Sequence, residues 1–513
     1  MSPALARNTF LGFIAGAGSG LAGFIGSAIA ARLLGPNGMG ALAYTLWCVT
    51  IAWTVASLGL PLVLQRFIPN LRAEGNDVEA DGLGGVTARL SVLAAFIGSL
   101  LLFCWLYWPG STALQATTRG TRLVLIVLIV AWFVCWRLSD LYLNYLRGEQ
   151  RFDEFARLTL IAAVIRLALI GVGAWFFGVA GAAGAYVLGY VIPASRIRQM
   201  LRKTAAIGKE LKREVIRFAL TSWIAGVIGG LVFGRTEVAF LEHYASIEAV
   251  GIFAAAATLT EMAVLLPPFL LSALLPYFSE QHGLGAHDDM RRLYRTTTGL
   301  ITLVMAPICI GMAATAPVLV PLLFGAEYAR AAPAASVLLL VTAVVGSLGN
   351  TTVYLIYSTG KVGLLLISNS VGLLGTVVLG FLLIPRFGII GAAWSRSAVQ
   401  VLVVAIEIWY VTRKLKFAPP YRAFGAVLIA SLIPGAIAYA LSTEMGGILG
   451  LVVAVPAAVL VFLVALRVLA VLPMVDPSLI GALIGHAPAR LTRLLSCLVK
   501  LVAPAARDSS KSD

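Results

Sequence analysis

Long apolar segments, separated by short charged breaks, set the limits on what this chain can become. A helix needs about 20 apolar residues to cross the hydrocarbon core of a bilayer. Cutting the sequence at charge clusters, Pro and Gly leaves segments of that kind at 9–31, 41–65, 86–108, 121–145, 157–177, 179–196, 217–239, 249–275, 295–320, 333–357, 363–384, 389–412, 422–442 and 447–471. Only a glycine-rich corner divides 157–177 from 179–196. The chain is 60% hydrophobic and 12% charged, with a mean hydropathy of +0.95. A soluble domain is about 45–50% apolar and about 25% charged. Water cannot solvate so apolar an exterior. The expected fold is therefore an all-α polytopic membrane protein of about fourteen transmembrane helices.

The basic residues give the orientation. Residues 1–8 run directly into the first span, with no convincing signal cleavage site. With the N-terminus placed in the cytoplasm, the opposite side receives only Arg32, Arg119, Arg122, Arg235, Arg330 and Arg386. Arg137, Arg166 and Arg396 fall inside the membrane, and every other one of the 38 Lys and Arg lies on the cytoplasmic side. That asymmetry is what the positive-inside rule selects. It predicts an inner-membrane protein with both termini cytoplasmic, and it makes the net charge of +15 an orientation signal rather than a nucleic-acid footprint. Apolar residues at helical spacing from Pro477 to Ala505, interrupted by Arg490, Arg493 and Lys500, predict an amphipathic helix on the inner leaflet.

The chain also repeats itself. GMGALAY around Gly40 matches AVGIFAA around Gly251, an offset of 211; LRGEQ at Gly148 matches STGKV at Gly360, an offset of 212; FGVAGAAGAY from Phe177 matches FGIIGAAWSR from Phe387, an offset of 210. Each offset covers six spans, so both copies cross the membrane in the same sense and are related by a pseudo-two-fold along its normal. The expected organisation is a six-helix bundle at 1–197, a basic cytoplasmic linker at 198–216 and a second bundle at 217–412. Helices 13 and 14 follow at 413–471, then a cytoplasmic amphipathic tail at 472–513. Two such bundles facing each other across a central cleft form a transporter architecture. Gly12, Gly16, Gly20, Gly23 and Gly26 in the first span suit close helix packing or a hinge. The GAGSG string there is not a nucleotide fingerprint, because no strand or βαβ unit surrounds it.

A charge at membrane depth is costly and faces a partner or a cavity. Arg137, Arg166, Arg235 and Arg396 are the candidate substrate ligands, because a guanidinium grips phosphate with two parallel hydrogen bonds. Several facing one cleft would suit a pyrophosphate head group. Asp140, Glu261 and Glu407 are the candidate coupling carboxylates. The structural alternatives are mutual neutralisation of Arg137 and Asp140, spaced i and i+3, an interfacial position for Arg235, and an interhelical hydrogen bond for Glu261.

Chemistry of other kinds finds little support. There is no GxxxxGK[ST] loop. His243, His282, His287 and His486 lack metal-ligand spacing, and Asp288 and Asp289 read as a solvated loop. Cys48, Cys104, Cys135, Cys309 and Cys497 form no CxxC and read as apolar fillers. Neither a catalytic residue nor a metal or cofactor is expected.

ARLLGPNGMGALAY at 31–44, LRGEQRF at 146–152, AVGIFAAAATLTEM at 249–262, ALLPYFSE at 273–280, PLLFGAEYARAA at 321–332 and IPRFGIIGAAWSRS at 384–397 stand in an order and spacing that carry a family likeness. On them the chain resembles the polysaccharide transporter (oligosaccharide-lipid flippase) family of the multidrug/oligosaccharidyl-lipid/polysaccharide exporter superfamily. The resemblance implies alternating access and movement of an undecaprenyl-pyrophosphate-linked oligosaccharide to the outer leaflet. It implies a cationic cleft, to which Arg137, Arg166 and Arg396 are matched. The partners that go with it are the lipid-linked oligosaccharide and the bilayer, Na+ or H+ as coupling ion, and polysaccharide polymerase and glycosyltransferases, with no nucleic acid. A cation-coupled multidrug exporter is the alternative within the superfamily. A membrane-embedded glycosyltransferase or polymerase is the alternative outside it, and the short outer loops oppose that reading.

Overall fold

The computed structural model describes residues 3–107, 119–265, 278 and 286–469. Every regular element among them is helical: α1 (Pro3–Ala56), α2 (Leu60–Ala73), α3 (Asp77–Tyr107), α4 (Arg119–Gly148), α5 (Phe152–Ser195), α6 (Ile197–Leu201), α7 (Lys209–Phe233), α8 (Glu237–Tyr244) and α9 (Ile247–Ala263). After these come α10 (His287–Phe324), a 3-10 turn (Ala326–Ala331), α11 (Ala332–Ser358), α12 (Val362–Arg413), α13 (Tyr421–Met445) and α14 (Gly447–Val468). The amphipathic segment 477–505, most of ALLPYFSE, and His282, His486 and Cys497 lie outside the described residues.

Ten helices among the described residues are long and apolar enough to cross a bilayer. Three of them, α1, α5 and α12, are each two helical stretches joined at a non-helical glycine, Gly35, Gly178 and Gly388, and each covers two of the expected spans. Helix α9 is the first part of the expected span 249–275, whose remainder lies outside the described residues. The protein is thus an all-helical, multi-pass membrane protein of about fourteen spans. Its outward side chains agree with a lipid solvent, since Phe96, Phe177 and Val468 are each more than 70% exposed.

The internal repeat is visible as repeated backbone geometry. Gly178 (φ 57, ψ −138) and Gly388 (φ 53, ψ −124) make the same left-handed kink 210 residues apart, a conformation that an L side chain resists. Arg151 N–H bonds Leu146 O and Gln150 N–H bonds Arg147 O, while Lys361 N–H bonds Ile356 O and Gly360 N–H bonds Tyr357 O. This is one turn made twice, and it pairs Gln150 (φ 57) with Gly360 (φ 69). At this turn the offset is 210, not the 212 obtained by aligning the two glycines, because backbone geometry rather than residue identity is what repeats here. Gly40 and Gly251, the repeat-equivalent glycines of α1 and α9, meet backbone to backbone. A methyl on the first would collide with Ile247 O and on the second with Pro36 O. This close crossing is what the small residues are for.

The chain forms two compact units. Unit 1 comprises residues 1–265, 323–334 and 369–399; unit 2 comprises 266–322, 335–368 and 400–513. In unit 1 a core of Leu64, Ile68, Leu83, Leu141, Tyr142 and Leu146 joins α2, α3 and α4. In unit 2 Tyr294, Leu355, Ile356 and Val411 do the same for α10, α11 and the end of α12.

Candidate functional site

Two helix breaks in unit 1 explain two of the four candidate arginines. The second span stops at Ala56 and resumes at Leu60, with Leu58 (φ 50) and Gly59 (φ 69) left-handed between. In hydrocarbon the freed carbonyls need donors. Arg137, fully buried on α4, donates from Nε to Ala56 O at 3.2 Å and from Nη2 to Ser57 O at 3.1 Å. Trp223 of α7 donates from Nε1 to Val55 O at 2.8 Å. Asp140 stands 3.8 Å from Arg137 Nη1 and accepts from Asn144 at 2.9 Å. The seventh span breaks at Gly234–Thr236, between α7 and α8. Arg396 caps that break, donating to Phe233 O at 3.2 Å while it pairs with the buried Glu237 at 3.3 Å. Thr236 Oγ1 donates to Leu231 O. Arg137 therefore gives two donors to the carbonyls of one broken helix end, and Arg396 gives one to the other while its second serves Glu237.

Arg166 and Arg235 come together in the wall of one cavity of about 340 Å³ inside unit 1. Gly20, Leu21, Gly23, Phe24 and Ser27 of α1 make one side of it. Leu42 and Leu46, beyond the Gly35 bend, make another. Tyr186 and Tyr190 of α5 and Thr258 and Glu261 of α9 close it. Arg235 holds a left-handed backbone (φ 60), rare for a residue with a side chain, and is fixed there by two parallel bonds to Glu261, at 2.7 and 2.6 Å. Thr258 Oγ1 lies 3.3 Å from its Nη2. Glu261, half-exposed to the cavity, is thus neutralised.

Arg166 is held differently. Its Nη1 donates to Tyr190 Oη at 3.0 Å and its Nη2 to Ser19 O at 3.4 Å, and its guanidinium lies 5.5 Å from the Tyr186 ring centre and 5.8 Å from that of Tyr190. None of the ion pairs among the described residues includes it. Of five guanidinium N–H donors two are engaged. The cavity carries one net positive charge, with donors to spare.

The tyrosines were missed by reading charges alone. Trp132 stacks on Tyr186 at 4.1 Å, Trp136 on Tyr190 at 5.9 Å and Trp53 on Trp136 at 5.4 Å. The signal was present as two i, i+4 aromatic pairs on neighbouring spans. Glu407 sits elsewhere, in unit 2, 2% exposed, accepting one hydrogen bond from Ser368 Oγ at 3.0 Å.

Residues 5–282 match the family described as "Polysaccharide biosynthesis protein", more than half of the chain. The chain belongs to that family. Among curated relatives it is 21% identical over 452 residues to the probable low-salt glycan biosynthesis flippase Agl15 of Haloferax volcanii, covering 86% of this chain and 91% of the relative. Its fold is that of the inward-facing multidrug resistance MATE family transporter of the MOP superfamily (TM-score 0.65, 14% identity, 78% of this chain and 96% of that one). It is also that of the lipid II flippase MurJ in an inward closed conformation (TM-score 0.62, 11% identity, 84% and 96%). Family and fold thus agree with the resemblance drawn from the sequence motifs.

Proposed function

We propose that this member of the family is a flippase that moves an undecaprenyl-pyrophosphate-linked oligosaccharide across the bacterial inner membrane for surface polysaccharide assembly. Alternating access of the halves 1–197 and 217–412, joined by the linker 198–216, exposes the site first to the cytoplasm and then to the outer face. The observation that carries the reading is Arg166, a guanidinium at membrane depth in a cavity wall with no carboxylate paired to it. A pyrophosphate supplies the acceptors that its remaining donors lack. Arg235 adds donors at the same wall, already ordered by Glu261. The glycan flippase among the relatives and the lipid II flippase among the structures support a lipid-linked sugar as cargo. A multidrug exporter of cations would favour a free carboxylate in the cavity, and Glu261 is committed to Arg235.

The test is translocation of a labelled polyprenyl-pyrophosphate sugar in proteoliposomes. Wild type moves the probe, and Arg166→Ala binds and moves it at least about tenfold less, the equivalent of about 1.4 kcal/mol. Undiminished movement by Arg166→Ala, or none by wild type, rejects the reading.

A further inference from the structure

Three carboxylates at membrane depth are candidates for driving a transport cycle, and the structure separates them. Glu261 is held by Arg235 through two bonds, and Asp140 stands beside Arg137 and accepts from Asn144. Both have positive partners that stabilise the charged form. Glu407 has none. It lies on the second half of α12, six residues before the helix ends at Arg413, with its side chain 2% exposed. Ser368 Oγ, near the start of the same bent helix, donates to Oε1 at 3.0 Å. Oε2 is buried with no hydrogen-bond partner among the described residues. Tyr357 of α11 is the titratable side chain that faces it, and among the described residues no Lys or Arg is paired with it.

An ionised carboxylate in that setting is far more costly than a neutral one. A hard metal cation gathers six or so oxygen ligands, whereas here one carboxyl and one hydroxyl converge, and no cluster of three acidic or other ligating residues exists among the described residues. One proton removes the charge without further ligands.

We propose that Glu407 is a proton-binding site of unit 2, protonated in this conformation and released to water when the cycle opens the helices around it, and that this exchange couples transport to a proton gradient. Ser368 is the positioning residue, because its hydroxyl favours the charged form and so sets how readily the proton leaves. The proton site stands on its own geometry. Its coupling to cargo movement rests on the flippase reading.

Two measurements separate those parts. Infrared difference spectra of the purified full chain in nanodiscs, taken across a pH series, report protonated carboxyl groups without any substrate. The expected wild-type spectrum holds a protonated-carboxyl band at neutral pH that Glu407→Gln removes. In Ser368→Ala the band persists and its disappearance on alkalinisation moves to higher pH. Absence of a band assignable to Glu407 overturns the proton site, whatever the cargo is. In proteoliposomes an imposed pH gradient accelerates movement of the labelled polyprenyl-pyrophosphate sugar by wild type, and Glu407→Gln loses that acceleration. Movement indifferent to the gradient in wild type overturns the coupling. No movement at all, with the infrared band intact, overturns the flippase reading and leaves the proton site standing.

Discussion

Arg166 in the cavity wall and Arg72 at the loop-rich end of unit 1 are both arginines in polar clusters, and they are held in opposite ways. Arg72 is saturated with carboxylates. It reaches Glu149 at 2.8 Å, Asp77 at 2.7 Å and Asp81 at 2.5 Å, and Asp81 in turn takes Lys203 Nζ at 2.7 Å. Lys203 also donates to Tyr145 Oη at 2.6 Å and so ties the segment after α6 to α3 and α4. Arg166 has a tyrosine hydroxyl and a carbonyl, both neutral. The first arrangement has no capacity for an anion, whereas the second retains it. What leaves an arginine with donors for an anion is the charge of what already surrounds it.

That distinction is sharpened most by Arg137. If it caps a helix break, Arg137→Ala strands Asp140 and leaves the carbonyls of Ala56 and Ser57 without donors at membrane depth. The expected loss is about 3 kcal/mol of stability, read as a lower thermal denaturation midpoint in detergent, with probe affinity unchanged in the protein that remains folded. Arg166→Ala is the reverse case: affinity for the labelled pyrophosphate lipid falls about tenfold or more, while the denaturation midpoint moves little. A stable Arg137→Ala that fails to bind would exchange the two roles.

The loop-end network makes a smaller prediction, with a sign. Burial alone would raise the Glu149 carboxyl, but its hydrogen bonds with Arg72 outweigh this and hold it below the usual glutamate range. Burial would lower the Lys203 ammonium, but Asp81 and Tyr145 hold it above its ordinary value. A depressed carboxyl stabilises above its unfolded pKa, and the gain is lost as the pH falls through the folded one. A raised ammonium stabilises below its unfolded pKa, and the gain is lost as the pH rises through the folded one. The contribution is therefore complete between roughly pH 5 and pH 10 and declines on either side. Glu149→Gln flattens the acid limb of a stability–pH curve and leaves the alkaline limb in place; an unchanged acid limb contradicts the assignment. Smallest of all is Arg66, whose pair with Glu214 at 3.6 Å is half-exposed on both sides. Because the Arg66 guanidinium also stacks on the Phe218 ring, 4.6 Å away, the pair is tested from its other side: Glu214→Gln should shift stability by less than about 0.5 kcal/mol, and 0.5 M salt should erase even that.

Much of the fold was legible beforehand. Hydropathy marked the membrane spans, because lipid-facing side chains must be apolar over the thickness of a bilayer. The repeat showed through Gly40 and Gly251, because only glycine permits backbones to touch. The glycine-rich corner between the spans 157–177 and 179–196 is in the structure: two helical stretches meet at the left-handed Gly178, and Gly173 and Gly181 on either side of it approach backbone to backbone. The site was half legible. Arg166 and Arg235 share a cavity, whereas Arg137 and Arg396 look identical to them in sequence and serve backbone carbonyls. Nothing local to Arg137 announces that the second span breaks at Ala56, some eighty residues earlier.

By itself the sequence determined the solvent of this protein, its helical class and its duplicated plan, because each follows from the side-chain chemistry of contiguous residues. Only the tertiary structure decided which intramembrane charges are satisfied. That depends on atoms brought within 3 or 4 Å from distant spans, Ser19 against Arg166, Glu261 against Arg235 and Glu237 against Arg396. A guanidinium's availability for an anion is fixed by that last ångström of packing, which no spacing along the chain encodes.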